Sequence, residues 1–225
     1  MSYISQPILE IVLLSVRVSF VAMMFTLPLA IAVAYLLAKK RFFGWHALNA
    51  ISHLPLIMPP VITGYLLLVI FSPNGIVGGF LAKFGISFAF NWLGAAVAAG
   101  VMAFPLVMRP IRLAFELQDE SLLDSAKTLG ANQFRSFLTI SLPLAMPGVV
   151  AGLVLGFAKA LGEFGATITF VSNIPGETQT LALAIYSFLQ TPKGDAAAFA
   201  LVVIGISISL IAILISETWA ARLKR

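Results

Sequence analysis

The sequence contains no cysteine and very little charge. Charged side chains make up 10% of its 225 residues, whereas hydrophobic side chains make up 60%. The absence of cysteine excludes disulfides and thiolate metal sites. A soluble domain of this length carries far more charge on its surface. The shortage of charge, together with a mean hydropathy of +1.02, therefore indicates an integral membrane protein.

The motifs of several functional classes are also missing. No group of His, Asp and Glu has the spacing of a metal site, and no nucleophile accompanies a general base. The pattern G-x-x-x-x-G-K-S/T, whose loop cradles the phosphates of ATP, does not occur. We therefore expect no enzymatic activity, no metal or cofactor bound by this chain, and no nucleic-acid partner. The N-terminus does not resemble a signal peptide, because Glu10 precedes the apolar run and the first cation, Arg17, comes late.

Five apolar segments are long enough to cross a bilayer, which takes about 20 residues of helix. Because a membrane-spanning backbone must satisfy its own hydrogen bonds, we expect an all-α bundle of five transmembrane helices that forms a single domain, residues 1–225. The segments are residues 9–38, 51–71, 93–115, 145–171 and 196–219.

Two further features bear on the number and shape of the spans. Residues 180–189 are also apolar and leave a sixth span open. About ten residues are too few to cross a bilayer unaided, so a surface or re-entrant helix is the favoured interpretation. Pro59, Pro60 and Gly64 interrupt the second segment and predict a kink in it.

Basic residues cluster at one end of the predicted spans. With five spans, ten of the 14 Lys and Arg residues fall on the same side, and the positive-inside rule makes that side cytoplasmic. The N-terminus is then predicted to lie outside and the C-terminus in the cytoplasm. The ten residues are Lys39, Lys40, Arg41, Arg109, Arg112, Lys127, Arg135, Arg222, Lys224 and Arg225.

A polar segment separates the third and fourth spans, and we call residues 116–143 the polar loop. Gly130 can adopt the left-handed backbone that ends one helix and redirects the chain. Ser121 is a candidate N-cap for the preceding helix. The pattern therefore predicts two short helices joined at Gly130, which is typical of a docking surface, and an ordinary connection between spans is the alternative.

The polar loop resembles the EAA loop of importer permeases of the ATP-binding cassette (ABC) type. The consensus is E-A-A, three residues, G, nine residues, I-x-L-P. The corresponding residues here are Asp124, Ser125, Ala126, Gly130, Ile140, Leu142 and Pro143. Asp replaces Glu and Ser replaces the first Ala, and both changes are chemically mild. The resemblance implies a type I importer fold, in which this loop is a coupling helix that docks in a groove of a separate ATPase subunit.

The resemblance narrows to the permease subunits of molybdate importers. Residues 161–178, LGEFGATITFVSNIPGET, carry it, together with His53-Leu-Pro-Leu, Pro59-Pro60 and residues 64–67. Permeases for sulfate and thiosulfate share the LGEFG core, so the choice of molybdate rests mainly on residues 166–178. A sulfate, thiosulfate or tungstate permease is the alternative within the family. A self-sufficient secondary anion transporter is the alternative from another class.

The resemblance also implies the rest of an assembly in the cytoplasmic (inner) membrane. Two copies of the chain would enclose the path as a homodimer. Two ATPase subunits, which would hold ATP and magnesium, would bind the polar loops. An extracytoplasmic molybdate-binding protein would deliver the ion.

The fourth segment carries small and ionisable residues at helical spacing. Gly148, Gly152 and Gly156 fall on one face, which favours close helix packing inside the bundle or across a dimer axis, with a pore lining as the alternative.

Lys159 and Glu163 form an i, i+4 pair within the same apolar run. Ionisable residues at such a depth are candidates for a translocation pathway or gate, and a purely structural ion pair is the alternative. Thr167 could add a hydroxyl to such a pathway, although threonines also commonly bond back to their own helix.

Overall fold

The computed structural model describes the backbone of residues 2–223, with side chains described for residues 8–126, 128–215 and 218. Every regular element in this part of the chain is helical, as predicted. The four long helices are α1 (Ser2–Lys39), α5 (Trp92–Glu116), α8 (Leu142–Leu161) and α11 (Asp195–Leu223). The shorter ones are α2 (Trp45–Ile57), α3 (Pro60–Phe71), α4 (Ile76–Ala82), α6 (Glu120–Thr128), α7 (Gln133–Ser136), α9 (Gly165–Val171) and α10 (Leu181–Leu189), and a π-helix (Phe137–Ser141) leads into α8.

Helix α5 lies at the centre of the bundle, between α1 and α8. Its buried side is rich in alanine, and Ala95, Ala98, Ala99 and Ala103 are at most 1% exposed. Small side chains let helix backbones approach closely, which favours dispersion contacts and is how helices associate in lipid. The α1, α5 and α8 contacts therefore form the core of the molecule.

The three glycines of α8 are the close-packing positions of this core. A Cβ atom at Gly148 would lie 2.6 Å from the carbonyl oxygen of Pro110, and one at Gly152 would lie 2.5 Å from that of Val107. A Cβ at Gly156 would meet the side chains of Val107 and Met23. The glycine face is thus filled by α5 and α1 of the same chain.

Four helices in the described part of the chain are long and apolar enough to span a membrane. They are Ile8–Lys39, Trp92–Glu116, Gln133–Leu161 and Asp195–Ile215. The pair α2 and α3 provides a fifth span if it is counted as one. These helices correspond to the five predicted segments, although two of the segments differ in detail.

The second predicted span, residues 51–71, is not one helix but two, joined by a bend of 116°. Pro59 and Pro60 lack the N–H groups that would continue α2, and the residue before a proline is pushed into extended backbone. Met58 and Pro59 accordingly have ψ angles of 145° and 132°. The predicted kink is therefore a sharp reversal between two half-length helices.

The fourth predicted span, residues 145–171, is also interrupted. Helix α8 ends at Leu161, and α9 begins separately at Gly165. The apolar helix extends toward the N-terminus instead, because Gln133–Leu161 is continuous. Gly162 is the C-cap of α8, and its backbone freedom, which comes from the lack of a Cβ atom, disfavours a continued helix.

The short apolar segment 180–189 forms α10 (Leu181–Leu189), a helix with one buried side and one exposed side. Leu183 and Ala184 are fully buried, and α10 packs against α1 and α11. Its amide end is fixed to α1 because the N–H of Leu181 donates to Oγ of Ser15 at 2.7 Å.

Candidate functional site

The polar loop contains the predicted pair of short helices. Helices α6 and α7 are separated by Gly130, whose φ of +82° lies in the left-handed region. A Cβ at Gly130 would have no heavy atom within 4 Å. The glycine is therefore required by backbone conformation and not by lack of space.

An acidic or amide side chain caps the first turn of each short helix, Asp119 for α6 and Asn132 for α7. Oδ1 of Asp119 accepts from the N–H of Ser121 at 2.9 Å, so the predicted capping role of Ser121 is wrong and Asp119 fills it. The helix begins at Glu120, which leaves Ser121 too far along to act as the cap. Hydrogen bonds from the backbone and then the side chain of Ser121 lower the pKa of the Asp119 carboxyl. Oδ1 of Asn132 accepts from the N–H of Arg135 at 2.8 Å and caps α7.

Large apolar side chains project from the polar loop. Leu129 is 87% exposed and Phe134 is 70% exposed, and both lie beside the Gly130 turn. Leu117, Leu122 and Leu138 are also exposed. Exposed apolar side chains of this kind are typical of a surface that meets another protein or the membrane.

The residues that match the EAA consensus are spread along the loop and do not form one cluster. Asp124 and Ser125 are exposed on α6, whereas Ala126 is buried on the same helix. Oγ of Ser125 donates to the carbonyl oxygen of Ser121 at 2.8 Å. Asp124 also lines a cavity of about 410 Å³ that includes Tyr35 and Lys39 of α1.

The C-terminal part of the consensus lies on the π-helix and the first turn of α8. Ile140 and Leu142 are half-buried, and Pro143 is exposed. Nε2 of Gln118 donates to the carbonyl oxygen of Ser141 at 2.7 Å, which ties the start of the loop to its end. Sequence reasoning missed both the π-helix and Gln118, because no local pattern predicts a contact 23 residues away.

Lys159 and Glu163 join the two sides of the break between α8 and α9. Nζ of Lys159 lies 2.5 Å from Oε2 of Glu163, with side chains 31% and 1% exposed. Oε1 of Glu163 accepts from the N–H of Ala166 at 3.1 Å. Both carboxylate oxygens of Glu163 therefore have partners, which offsets much of the desolvation penalty of a buried charge.

The two broken regions meet where α3 packs on α9. A Cβ at Gly64 would lie 2.5 Å from the carbonyl oxygen of Ala166, and one at Gly165 would lie 2.7 Å from Cβ of Pro60. Thr167 is 2% exposed, within this packed region. Oγ1 of Thr169 donates to the carbonyl oxygen of Gly165 at 2.9 Å, so this threonine bonds back to its own helix.

A cluster that sequence reasoning missed lies around Trp45. The guanidinium carbons of Arg41 and Arg112 are 4.1 Å and 5.3 Å from the centre of the Trp45 ring. Arg112 also binds Oδ1 of Asn49 at 2.6 Å and Oε1 of Glu116 at 2.7 Å. The i, i+4 spacing of Arg112 and Glu116 could have predicted their ion pair from the sequence. The contact between Arg112 and Asn49 spans 63 positions, and no sequence pattern predicts it.

The described residues contain no group of three or more His, Asp or Glu side chains that could hold a metal ion.

Comparison with known proteins identifies relatives over almost the whole chain. The family model described as "Binding-protein-dependent transport system inner membrane component" matches residues 18–225. The molybdenum transport system permease protein of Haemophilus influenzae is 54% identical over 94% of this chain and 93% of its own. That of Escherichia coli K12 is 52% identical over 99% and 97%. The sulfate transport system permease protein of Escherichia coli K12 is 37% identical over 86% and 70%.

Solved structures share the fold at low sequence identity. A bacterial ABC transporter that imports alginate aligns with a TM-score of 0.76 at 20% identity, over 96% of this chain and 80% of the other. The same kind of transporter, in complex with an alginate-loaded periplasmic protein, aligns with a TM-score of 0.75 at 19% identity, over 96% and 79%. These similarities establish the type I ABC permease fold.

Proposed function

Because the chain belongs to the family of binding-protein-dependent transport system inner membrane components, we propose that it is the membrane-spanning subunit of a molybdate importer. It is a multi-pass permease subunit of an ABC transporter. The observation that carries the choice of molybdate is the identity of 54% and 52% to two molybdenum permeases. The sulfate permease of Escherichia coli is less similar, at 37%, and remains the second candidate within the family.

The polar loop is the proposed docking site for a separate ATPase. The exposed Leu129 and Phe134 supply apolar surface, and the open space around Gly130 lets a partner approach the backbone. The loop also connects α5 to α8, two of the three helices of the core. A force applied there therefore acts on both helices at once, and ATP with magnesium is expected on the partner subunit.

The two helix breaks are the proposed boundary of the translocation path. At 1.5 Å per residue, α3 and α9 are about 18 Å and 10 Å long, too short to cross a core of about 30 Å. Irregular backbone at membrane depth is tolerated only where protein covers it or where it lines a water-filled cavity. A second copy of the chain, as a homodimer, would supply that cover, and the path would run between the two copies.

Lys159 is the proposed cationic group beside this path. Its side chain is 31% exposed, while that of Glu163 is 1% exposed. The carboxylate thus holds the ammonium without itself facing a dianion, which it would repel. Thr167 is buried, so a role in a gate requires α9 to move.

The cytoplasmic position of the polar loop is also proposed. It is supported by the clustering of Arg41 and Arg112 around Trp45, since the ends of α1 and α5 then share one basic face, which the positive-inside rule assigns to the cytoplasm. The N-terminus would lie outside and the C-terminus inside, although Lys224 and Arg225 lie outside the described residues. An extracytoplasmic molybdate-binding protein would dock on the opposite face, as a periplasmic protein does in the alginate transporter complex.

The test is ATP-dependent uptake by proteoliposomes that contain this chain with its ATPase and binding protein. We expect accumulation of molybdate that requires hydrolysable ATP, and we expect excess sulfate or thiosulfate to compete weakly. Equal competition by sulfate would move the assignment to a sulfate permease. The degree of competition by tungstate measures how well the importer distinguishes tungstate from molybdate. Uptake by the chain alone, without the ATPase, would support a secondary transporter and contradict the proposal.

A further inference from the structure

We propose that Arg112 is a positioning residue that couples the polar loop to the broken helix pair α2 and α3. The inference rests on the proposed function, because it concerns how ATPase motion reaches the path. Arg112 acts through a cluster that we call the latch: Arg41, Trp45, Asn49, Arg112 and Glu116.

Arg112 makes three contacts in the latch, and two of them leave its own helix. Within α5, Nε lies 2.7 Å from Oε1 of Glu116. Toward α2, Nη1 lies 2.6 Å from Oδ1 of Asn49, and the guanidinium lies 5.3 Å from the Trp45 ring. A planar guanidinium can make several directed contacts at once, which the point charge of a lysine cannot reproduce.

Trp45 fixes the other side of the latch. The residue is 9% exposed, and Nε1 donates to the carbonyl oxygen of Leu37 at 3.0 Å. Arg41 stacks on the same ring. The first turn of α2 is therefore attached to the end of α1 as well as to α5.

The position of the latch along the chain gives it a mechanical role. Helix α5 ends at Glu116, which is the first residue of the polar loop, so a displacement of the loop acts directly on Arg112. Asn49 lies on α2, which ends at Ile57 just before the bend of 116°. A pull on Asn49 is thus transmitted to the bend.

The other end of the polar loop reaches the same helices by a different route. It continues into α8, whose Lys159 is paired with Glu163 at the α8–α9 break, and α9 packs on α3. The latch and the Lys159–Glu163 pair therefore connect the two ends of one loop to one pair of broken helices. If the latch opens, α2 keeps its packing on α5 but loses the directed polar contact through which Arg112 acts on Asn49, so the bend follows the α9 side more than the α5 side.

The test measures molybdate transported per ATP hydrolysed by the reconstituted complex with its ATPase and binding protein. We expect Asn49→Ala and Arg112→Lys each to lower this ratio by roughly fivefold or more, the scale of a typical coupling free energy. Asn49→Asp keeps an acceptor for the guanidinium and is expected to restore most of the ratio. The double variant Asn49→Ala with Arg112→Lys is expected to be no worse than Arg112→Lys alone, because that substitution already removes the contact with Asn49.

A matched control is Asn91→Ala, which removes another asparagine acceptor at an end of α5. Oδ1 of Asn91 accepts from the N–H of Leu93 at 2.9 Å, far from the polar loop, so its loss should lower thermal stability without changing the transport ratio. If Asn49→Ala behaves like this control, the latch is only structural and the inference is wrong. An unchanged ratio for Asn49→Ala also overturns it. If Arg112→Lys fails to assemble, the two Asn49 variants test the inference: it holds if Asn49→Ala lowers the transport ratio and Asn49→Asp restores it, and it fails if the two variants have the same ratio.

Failure of the proposed function gives a different result. In that case the unaltered complex shows no ATP-dependent molybdate uptake. When the unaltered complex transports molybdate and the variants keep its ratio, only the inference about the latch fails.

Discussion

Gly130 and Gly152 lack a side chain for two different physical reasons. Gly130 has a φ of +82° and open space around it, so the backbone conformation selects glycine. Gly152 has ordinary helical backbone, but a Cβ there would lie 2.5 Å from a carbonyl oxygen of α5. The sequence predicts both positions, the first from the spacing of the loop and the second from the repeat of four. The sequence does not predict which neighbouring atoms lie against each glycine.

Replacing Gly130 by Asp tests the docking role of the loop at the scale of one residue. Asp tolerates the left-handed region better than most L-residues, for which it costs about 1–2 kcal/mol, and the new carboxylate lies next to the apolar Leu129. We expect the Gly130→Asp permease to fold but to co-purify with several-fold less ATPase, measured by affinity capture from detergent extracts.

Gly85→Asp is the control for this prediction. Gly85 has a φ of +71° and no heavy atom within 4 Å of a Cβ position, so the backbone strain is similar. It lies between α4 and α5, away from the polar loop, and capture of the ATPase should be unchanged. Equal losses for the two variants would show that strain alone explains the effect and that the loop is not the docking site.

At the scale of elements, the informative features are the two helix breaks. Pro59 and Pro60 predict an interruption, but proline chemistry does not determine a bend of 116°, because the angle depends on what α3 packs against. The α8–α9 break was not predicted, because the residues around Gly162 are mostly apolar and, apart from Glu163, continue the helical pattern. The structure explains the break: the Glu163 carboxylate accepts from the N–H of Ala166, in the first turn of α9.

Replacing Lys159 tests whether the ion pair holds the α8–α9 break. Lys159→Leu leaves the carboxylate of Glu163 buried with only a backbone partner. We expect a loss of about 2 kcal/mol, below the 3–5 kcal/mol typical of a fully buried pair, because the lysine is 31% exposed. The measurement is thermal unfolding of the purified permease in detergent.

Two companion variants make the comparison specific. Lys159→Arg keeps the charge and should retain most of the stability, whereas Lys83→Leu removes an exposed lysine outside the core and should change little. If Lys159→Leu and Lys83→Leu unfold at the same temperature as the unaltered protein, the pair does not stabilise the break.

At the scale of the whole molecule, composition and the positions of charges were enough to predict an all-helical bundle with its polar loop. The spans follow from length and hydropathy, since the bilayer permits little else. The latch could not be predicted, because Asn49 and Arg112 lie 63 positions apart and each is unremarkable in its own segment. Likewise, residues 180–189 were expected to form a surface or re-entrant helix, and the burial of Leu183 could not be predicted because it depends on the packing of α10 against α1 and α11.

The central claim is that a separate ATPase drives the permease through the polar loop. The most direct measurement uses the absence of cysteine in the chain, which allows a single cysteine to be placed at Leu129 without other changes. We predict that Leu129→Cys crosslinks to the ATPase subunit in native membranes, with a yield that changes when nucleotide is bound, while Ile86→Cys on the opposite face does not crosslink. Labelling of the cysteine at position 129 from the outside of intact cells, or no crosslink in a complex that transports, would contradict the account.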